Sequence, residues 1–264
     1  MRGARIGTIA LVCALFAVLA PLASAELTER GDLFIRFDGG IAPDALPRQV
    51  DAPISVWVTG TVRTLSGDRR PPSLRRISIA LNRGGHLQTA GLPTCTRSQI
   101  EPATSAQALA TCGPALVGTG QFVGRAALPE QEAFSVNGKI YAFNALVNGQ
   151  TAILAHVYAA HPAPTSRIIV FQIHHRPGTF GTVLTGDLPV ALNHYGYVRQ
   201  ISLRLHRRYS VQGQPRSYLN ASCAAPVGFP GAVFPFARAS MVFDDGRRLS
   251  STLTRSCHVL SGKS

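Results

Sequence analysis

Residues 140–159 read IYAFNALVNGQTAILAHVYA. Asn148-Gly149 stands at the middle of this stretch. An Asn-Gly pair suits a two-residue hairpin turn, because both central positions need positive φ. The flanks 140–147 and 150–159 are therefore expected to pair as antiparallel strands. That pairing sets Phe143 across from Leu154 and Tyr141 across from His156.

The same apolar period of two recurs on either side. Ile54, Val56 and Val58 alternate with Ser55, Trp57 and Thr59; Ile77, Ile79 and Leu81 with Arg76, Ser78 and Ala80; Ile201, Leu203 and Leu205 with Ser202, Arg204 and His206. Strands of this kind bury one face and wet the other, as antiparallel sheets do. Residues 167–174 are nearly all apolar up to Gln172 and read as a central strand covered on both faces. Asp244-Asp245-Gly246 is expected to join strands at 237–243 and 247–254, and Asn137-Gly138 is read as a further two-residue turn. Pro-rich pieces at Pro71-Pro72, 161–164 and 225–235 read as loops. A single short helix fits within 98–110, with Pro102 in its first turn. About eleven strands and no βαβ alternation give an all-β chain. The expected form is an antiparallel β-sandwich or a wide antiparallel barrel, with one short helix between Cys95 and Cys112. A split near Glu130 into two smaller sandwiches is the alternative to a single domain over 26–264.

Of 264 residues, 45% are hydrophobic and 15% charged, which excludes a disordered polyelectrolyte and a heptad coiled coil. Residues 1–25 read as a signal peptide: Arg2 and Arg5, an apolar stretch from Ile6 to Leu22, then Ala23-Ser24-Ala25 as a cleavage site. A retained anchor is the rival reading, and Pro21 with the small residues after it favours cleavage. Lipidation of Cys13 is disfavoured by Val12 before it and by the apolar residues after it. No later segment is a membrane-span candidate. The expected location is secreted, extracellular or in the cell envelope. Cleavage leaves Cys95, Cys112, Cys223 and Cys257, an even count that suggests two disulfides in an exported chain. Proximity favours Cys95–Cys112 and Cys223–Cys257 among the three possible pairings. No pair has the short spacing of a zinc knuckle.

The formal net charge is +13, from 26 Lys+Arg against 13 Asp+Glu. From Ala133 to Phe243 the one carboxylate is Asp187, against Lys139 and eight arginines. Six of the eight histidines share that span, so acid makes it more cationic. Arg204, His206 and Arg208 fall at alternate positions, which would put them on the polar side of one strand. Side chains two apart on a strand stand roughly 6.6–6.8 Å apart, a usable pitch for charges on a polymer. Tyr209 has the opposite parity and no base-stacking aromatic is interleaved, which disfavours specific nucleic-acid recognition.

Chemistry is sparse. No Gly-x-Ser-x-Gly and no phosphate-cradling glycine loop occurs, and no cofactor is implied. A Ser-His-Asp set could draw on Asp187 and His194, but no spacing marks it. A metal site would have to be gathered from His156, His161, His174 and His175. On a strand, neighbouring His174 and His175 point to opposite faces and cannot chelate one ion together.

Two segments carry a resemblance. One is Cys112-Gly113-Pro114 followed by Val117-Gly118-Thr119-Gly120. The other runs from Cys223 through Phe234-Pro235-Phe236-Ala237-Arg238-Ala239 and Asp245-Gly246 to Cys257. In these the chain resembles secreted β-proteins common in high-GC actinobacteria, over about the last two-thirds of its length. That group has no assigned activity, so the resemblance implies structure and export only. The leading functional expectation is a non-enzymatic secreted β-sandwich, structural or adhesive, binding an anionic cell-wall polymer through Arg204, His206 and Arg208. An exported hydrolase or copper-dependent oxidase with a histidine-rich site, and a barrel holding an apolar ligand, are the alternatives.

Overall fold

The computed structural model describes residues 25–66, 70–189 and 195–260. The signal-peptide reading falls outside the described residues except for Ala25, and His194 also lies outside them.

Seven strands precede the first disulfide: β1 (Glu26–Arg30), β2 (Leu33–Ala42), β3 (Ala45–Leu46), β4 (Ala52–Pro53), β5 (Ser55–Thr64), β6 (Leu74–Asn82) and β7 (Gly85–Leu87). Two helices follow, α1 (Arg97–Ile100) and α2 (Ser105–Cys112). The central strands are β8 (Leu116–Ala126), β9 (Phe134–Val147), β10 (Gln150–Ala159), β11 (Thr165–His175), β12 (Phe180–Asp187) and β13 (Gly196–Leu205). Three short strands come next, β14 (Arg208–Val211), β15 (Gln214–Ser217) and β16 (Leu219–Ala221). The long hairpin β17 (Gly231–Phe243) and β18 (Arg248–Val259) ends the described chain.

Thirteen strands form one sheet, in the order β1-β2-β5-β13-β8-β9-β10-β11-β12-β6-β17-β18-β3. Neighbours are antiparallel except β18 and β3, which are parallel. Strands from both sides of Glu130 are interleaved in this sheet. The sheet curls until its ends meet. Arg255 of β18 donates to Asp38 and to the Gly39 carbonyl of β2, and Arg247 donates to Asp32. One apolar core occupies the interior. It joins Leu33, Ile35 and Phe37 of β2 and Val56 and Val62 of β5 to Ala239, Met241 and Phe243 of β17 and Leu253 of β18.

The hairpin at Asn148-Gly149 forms with the expected register: Phe143 faces Leu154 and Tyr141 faces His156. The turn at 244–246 likewise joins β17 to β18. Asn137-Gly138 is not a turn. Both residues lie inside β9, where a Cβ on Gly138 would sit 2.2 Å from the Tyr158 carbonyl and 2.3 Å from the Phe122 ring. Glycine is there to admit a neighbouring backbone and an aromatic ring.

The segment between Cys95 and Cys112 holds one helix of two turns, α2, with the single turn α1 before it. Pro102 separates the two rather than opening a longer helix. Thr104 accepts from the Gln107 N–H, and the Gln107 side chain accepts from the Thr104 N–H, a capping box that starts α2. This segment lies over the outer face of β9–β11. Ile100 and Ala108 pack on Phe143, Leu154 and Ile168. On the inner face of the same strands, Ala142, Ile153 and Ile173 join the main core. The 167–174 stretch is thus covered on both faces. The two disulfides are Cys95–Cys112 and Cys223–Cys257. Disulfides of this kind persist in oxidising surroundings. Among the described residues no helix is long and apolar enough to cross a membrane.

Candidate functional site

Sheet parity divides each strand between the core and the exterior. On β5, Val56 and Val62 enter the core, so Trp57, Thr59, Thr61 and Arg63 face outward. On β13, Leu205 enters the core and Leu203 packs against it, so Arg204 and Ser202 face outward. Register then assembles rows across strands. Arg204 stands beside Trp57 on one side and Thr119 on the other, and Thr119 stands beside Tyr141. The next row is Asp38, Thr59, Ser202, Gln121 and Lys139. Beyond it, Arg36 is paired with Thr61, and Arg63 with Phe34. Adjacent positions in a row are about 4.7–4.9 Å apart.

Arg36, Arg63, Arg204 and Lys139 are exposed. None is in an ion pair among the described residues. Asp38 is held by Arg255 at 2.7 Å, and Glu29 of β1, paired with Phe34, extends the Arg63 row at the sheet's edge. Trp57 is half-buried, and its indole fills the space over Gly40, where a Cβ would lie 3.0 Å from Nε1. The result is a broad polar sheet face with four exposed cations that have no ion pair among the described residues, and the chain's single tryptophan.

The expected triad of Arg204, His206 and Arg208 is exposed, but one strand does not carry it. β13 ends at Leu205, His206 is in the connection, and Arg208 opens β14, which pairs with β15 in a separate two-stranded sheet. The strand ends there because the His206 N–H turns to the Val117 carbonyl and leaves the β5 ladder. The Arg208 guanidinium donates to the Pro53 carbonyl, just before the strand that bears Trp57. Aromatic side chains absent from the local sequence are supplied across the sheet. The pairing of Trp57 with Arg204 joins distant parts of the chain, and no local signal marks it.

Among the described residues the histidines do not assemble. His156 is fully buried beneath the helical segment, with Nε2 2.9 Å from the Ala103 carbonyl and 3.2 Å from Ser166 Oγ. A carbonyl only accepts, so Nε2 carries the proton. Burial pushes this imidazole below its ordinary value of 6.5; the Ala103 bond and the nearby Glu101 oppose the shift without reversing it. His161 lies in the loop after β10 and is exposed. His174 and His175 alternate along β11, opposite Val183 and Thr182. Among the described residues no three His, Cys, Asp or Glu side chains come close enough to hold a metal ion.

Asp187 is engaged by Arg76, which donates through Nε and Nη2, and this bond holds the carboxyl below its usual range. The acid is a paired surface group rather than a free base. An open cleft of about 500 Å³ lies beside this pair, between β11, β12 and Arg97. Arg97 is itself bonded to Glu101.

Comparisons with protein-family models, with curated proteins and with solved structures return no match.

Proposed function

We propose that this chain is a secreted, non-enzymatic β-protein that binds anionic polymers of the cell envelope. The binding surface is the outer face of β2, β5, β13 and β8 with Lys139 of β9, continued at one end by His206 and Arg208. A single observation carries the reading: four exposed cations on one rigid sheet face with no ion pair among the described residues, where Asp38 is already engaged by Arg255 and Glu29 stands only at the β1 edge. Charges fixed on strands share a polymer's field without ordering flexible tails, and the chain's net positive charge adds long-range attraction. Exposed ionic contacts are individually worth about 1 kcal/mol or less, so binding is multivalent and salt-sensitive. Trp57 beside Arg204 offers a flat apolar surface to a sugar or glycerol backbone.

The test titrates the protein against poly(glycerol phosphate), heparin and a neutral glucan at increasing salt. Both anionic polymers should bind and should release as screening shortens. Replacing Arg204 and Lys139 together by Ser should weaken binding by about tenfold, the factor expected from two contacts of this strength. Equal affinity for the neutral glucan, or salt-independent binding, would exclude the reading.

A further inference from the structure

At one end of the interior the side chains leave space unfilled. An apolar cavity of about 110 Å³ lies there, walled by Ile54, Val56, Leu81, Leu219, Phe234 and Phe236. Cys257 of the second disulfide borders it. Protein interiors seldom hold voids larger than a water molecule. An apolar void of about 150 Å³ stays dry and accepts benzene. Atoms lining such a space lack dispersion partners on one side, and an apolar ligand supplies them. The one amide in the wall, Asn82, is already satisfied: it donates to the Pro235 carbonyl and accepts from the Gly84 N–H. No charged side chain lines the cavity, and Ser222 is the one other polar side chain in its wall.

Ser222, Ala224 and Ala232 also line the cavity, and Ala224 is exposed. Between these residues runs a loop that exposes Val227 at 90% and Phe229 at 61%. Scattered apolar residues on a surface are ordinary. Here both ends of the loop wall an apolar cavity. Arg48 also gathers the loop's polar backbone, donating to the carbonyls of Ala225, Pro226 and Phe229. With those carbonyls turned to Arg48, the loop keeps Val227 and Phe229 exposed between two stretches that line the cavity.

We propose that this cavity binds the methyl end of a single unbranched acyl chain, with Val227 and Phe229 covering the portion that emerges. The space is smaller than the benzene-binding void, which suits a slender chain end better than a ring. The head group stays outside, because the walls carry no charged side chain to receive it. This site stands apart from the basic sheet face and does not depend on polymer binding.

Laurate, kept below its micelle concentration, is the probe. Calorimetry should show saturable binding of one laurate per chain. Nuclear Overhauser contacts should link its terminal methyl to Leu81, Leu219 and Phe236. Ala221 lines the cavity, so Ala221→Leu should reduce affinity at least tenfold while leaving the melting temperature at or above that of the parent. Phe229→Ser should weaken binding severalfold. Should Ala221→Leu fail to fold, Ala224→Leu takes its place, and the contacts in the unaltered protein decide the matter independently. Absence of saturable binding overturns the site. So does a laurate methyl in contact with other residues, or binding that survives in folded Ala221→Leu and yields to salt, which would place laurate on the basic face.

Discussion

The two disulfides enclose two different kinds of interior. Cys95–Cys112 clips the local segment of α1 and α2 onto β9–β11, and the cluster at its centre is tight: Ile100, Ala108, Phe143 and Ala145 are wholly buried. Cys223–Cys257 ties a junction of short pieces to the long final hairpin, and it borders a cavity. The difference follows from how each region is built. The first cluster forms between one local segment and a regular sheet, where small residues such as Ala108 and Ala145 let backbones approach. The second must reconcile β3, β4, β7 and β16, strands of two or three residues that arrive from separate parts of the chain. Short strands meeting at an end cannot interdigitate as two regular faces do, and a void is left.

The largest expected effects probe that contrast directly. Phe143→Ala should cost about 3–5 kcal/mol, because a fully buried ring is removed from a site with little room to collapse. Opening the disulfides should cost about 3 kcal/mol for the 17-residue separation and about 4 kcal/mol for the 34-residue one, from loop entropy. The sharpest comparison adds atoms. Ala108→Leu under the helical segment should cost about 1–3 kcal/mol through overpacking. Ala221→Leu at the other end should cost nothing. Urea denaturation of the five variants measures all of this, and equal costs for the two Ala→Leu changes would erase the distinction.

The tight region was also the more legible one. Its hairpin is local, so the turn at Asn148-Gly149 set the register of Phe143 and His156 directly. The disulfide pairing followed from proximity. At Asn137-Gly138 the same dipeptide misleads, since the glycine answers a packing demand from Phe122 and Tyr158. Glycine for a turn and glycine for close approach look alike in sequence. Gly138→Ala should therefore destabilise through collision, by about 1–3 kcal/mol. The loose end gave little to read: two- and three-residue strands show no period, and neither a cavity nor the pairing of Trp57 with Arg204 has a local signature. The three-residue polar alternation at Arg204, His206 and Arg208 promised a strand that instead ends at Leu205.

The smallest effect separates the regions by pH. His156 is the buried imidazole under the helical segment, whereas the walls of the cavity include no titrating group. Its surroundings are the Ala103 carbonyl from the segment, Tyr141 from β9, Ser166 and Ile168 from β11, Tyr158 along its own strand, and the charge of Glu101. Desolvation disfavours the imidazolium, so the folded state takes up a proton at lower pH than the unfolded chain, whose histidine titrates near 6.5. Between those two values the unfolded state binds more protons, and stability falls as pH falls. Above about 6.5 both states are neutral at this position and the slope vanishes. The melting temperature should accordingly drop between pH 7 and 5. His156→Gln, which can still donate to the Ala103 carbonyl, should flatten that drop. Hydrogen exchange locates the loss: amides of α2 should open before those of β17 and β18 as the solution is acidified. An identical pH slope in the Gln variant, or first opening at the final hairpin, would mean that acid acts elsewhere than on the covered face of β10.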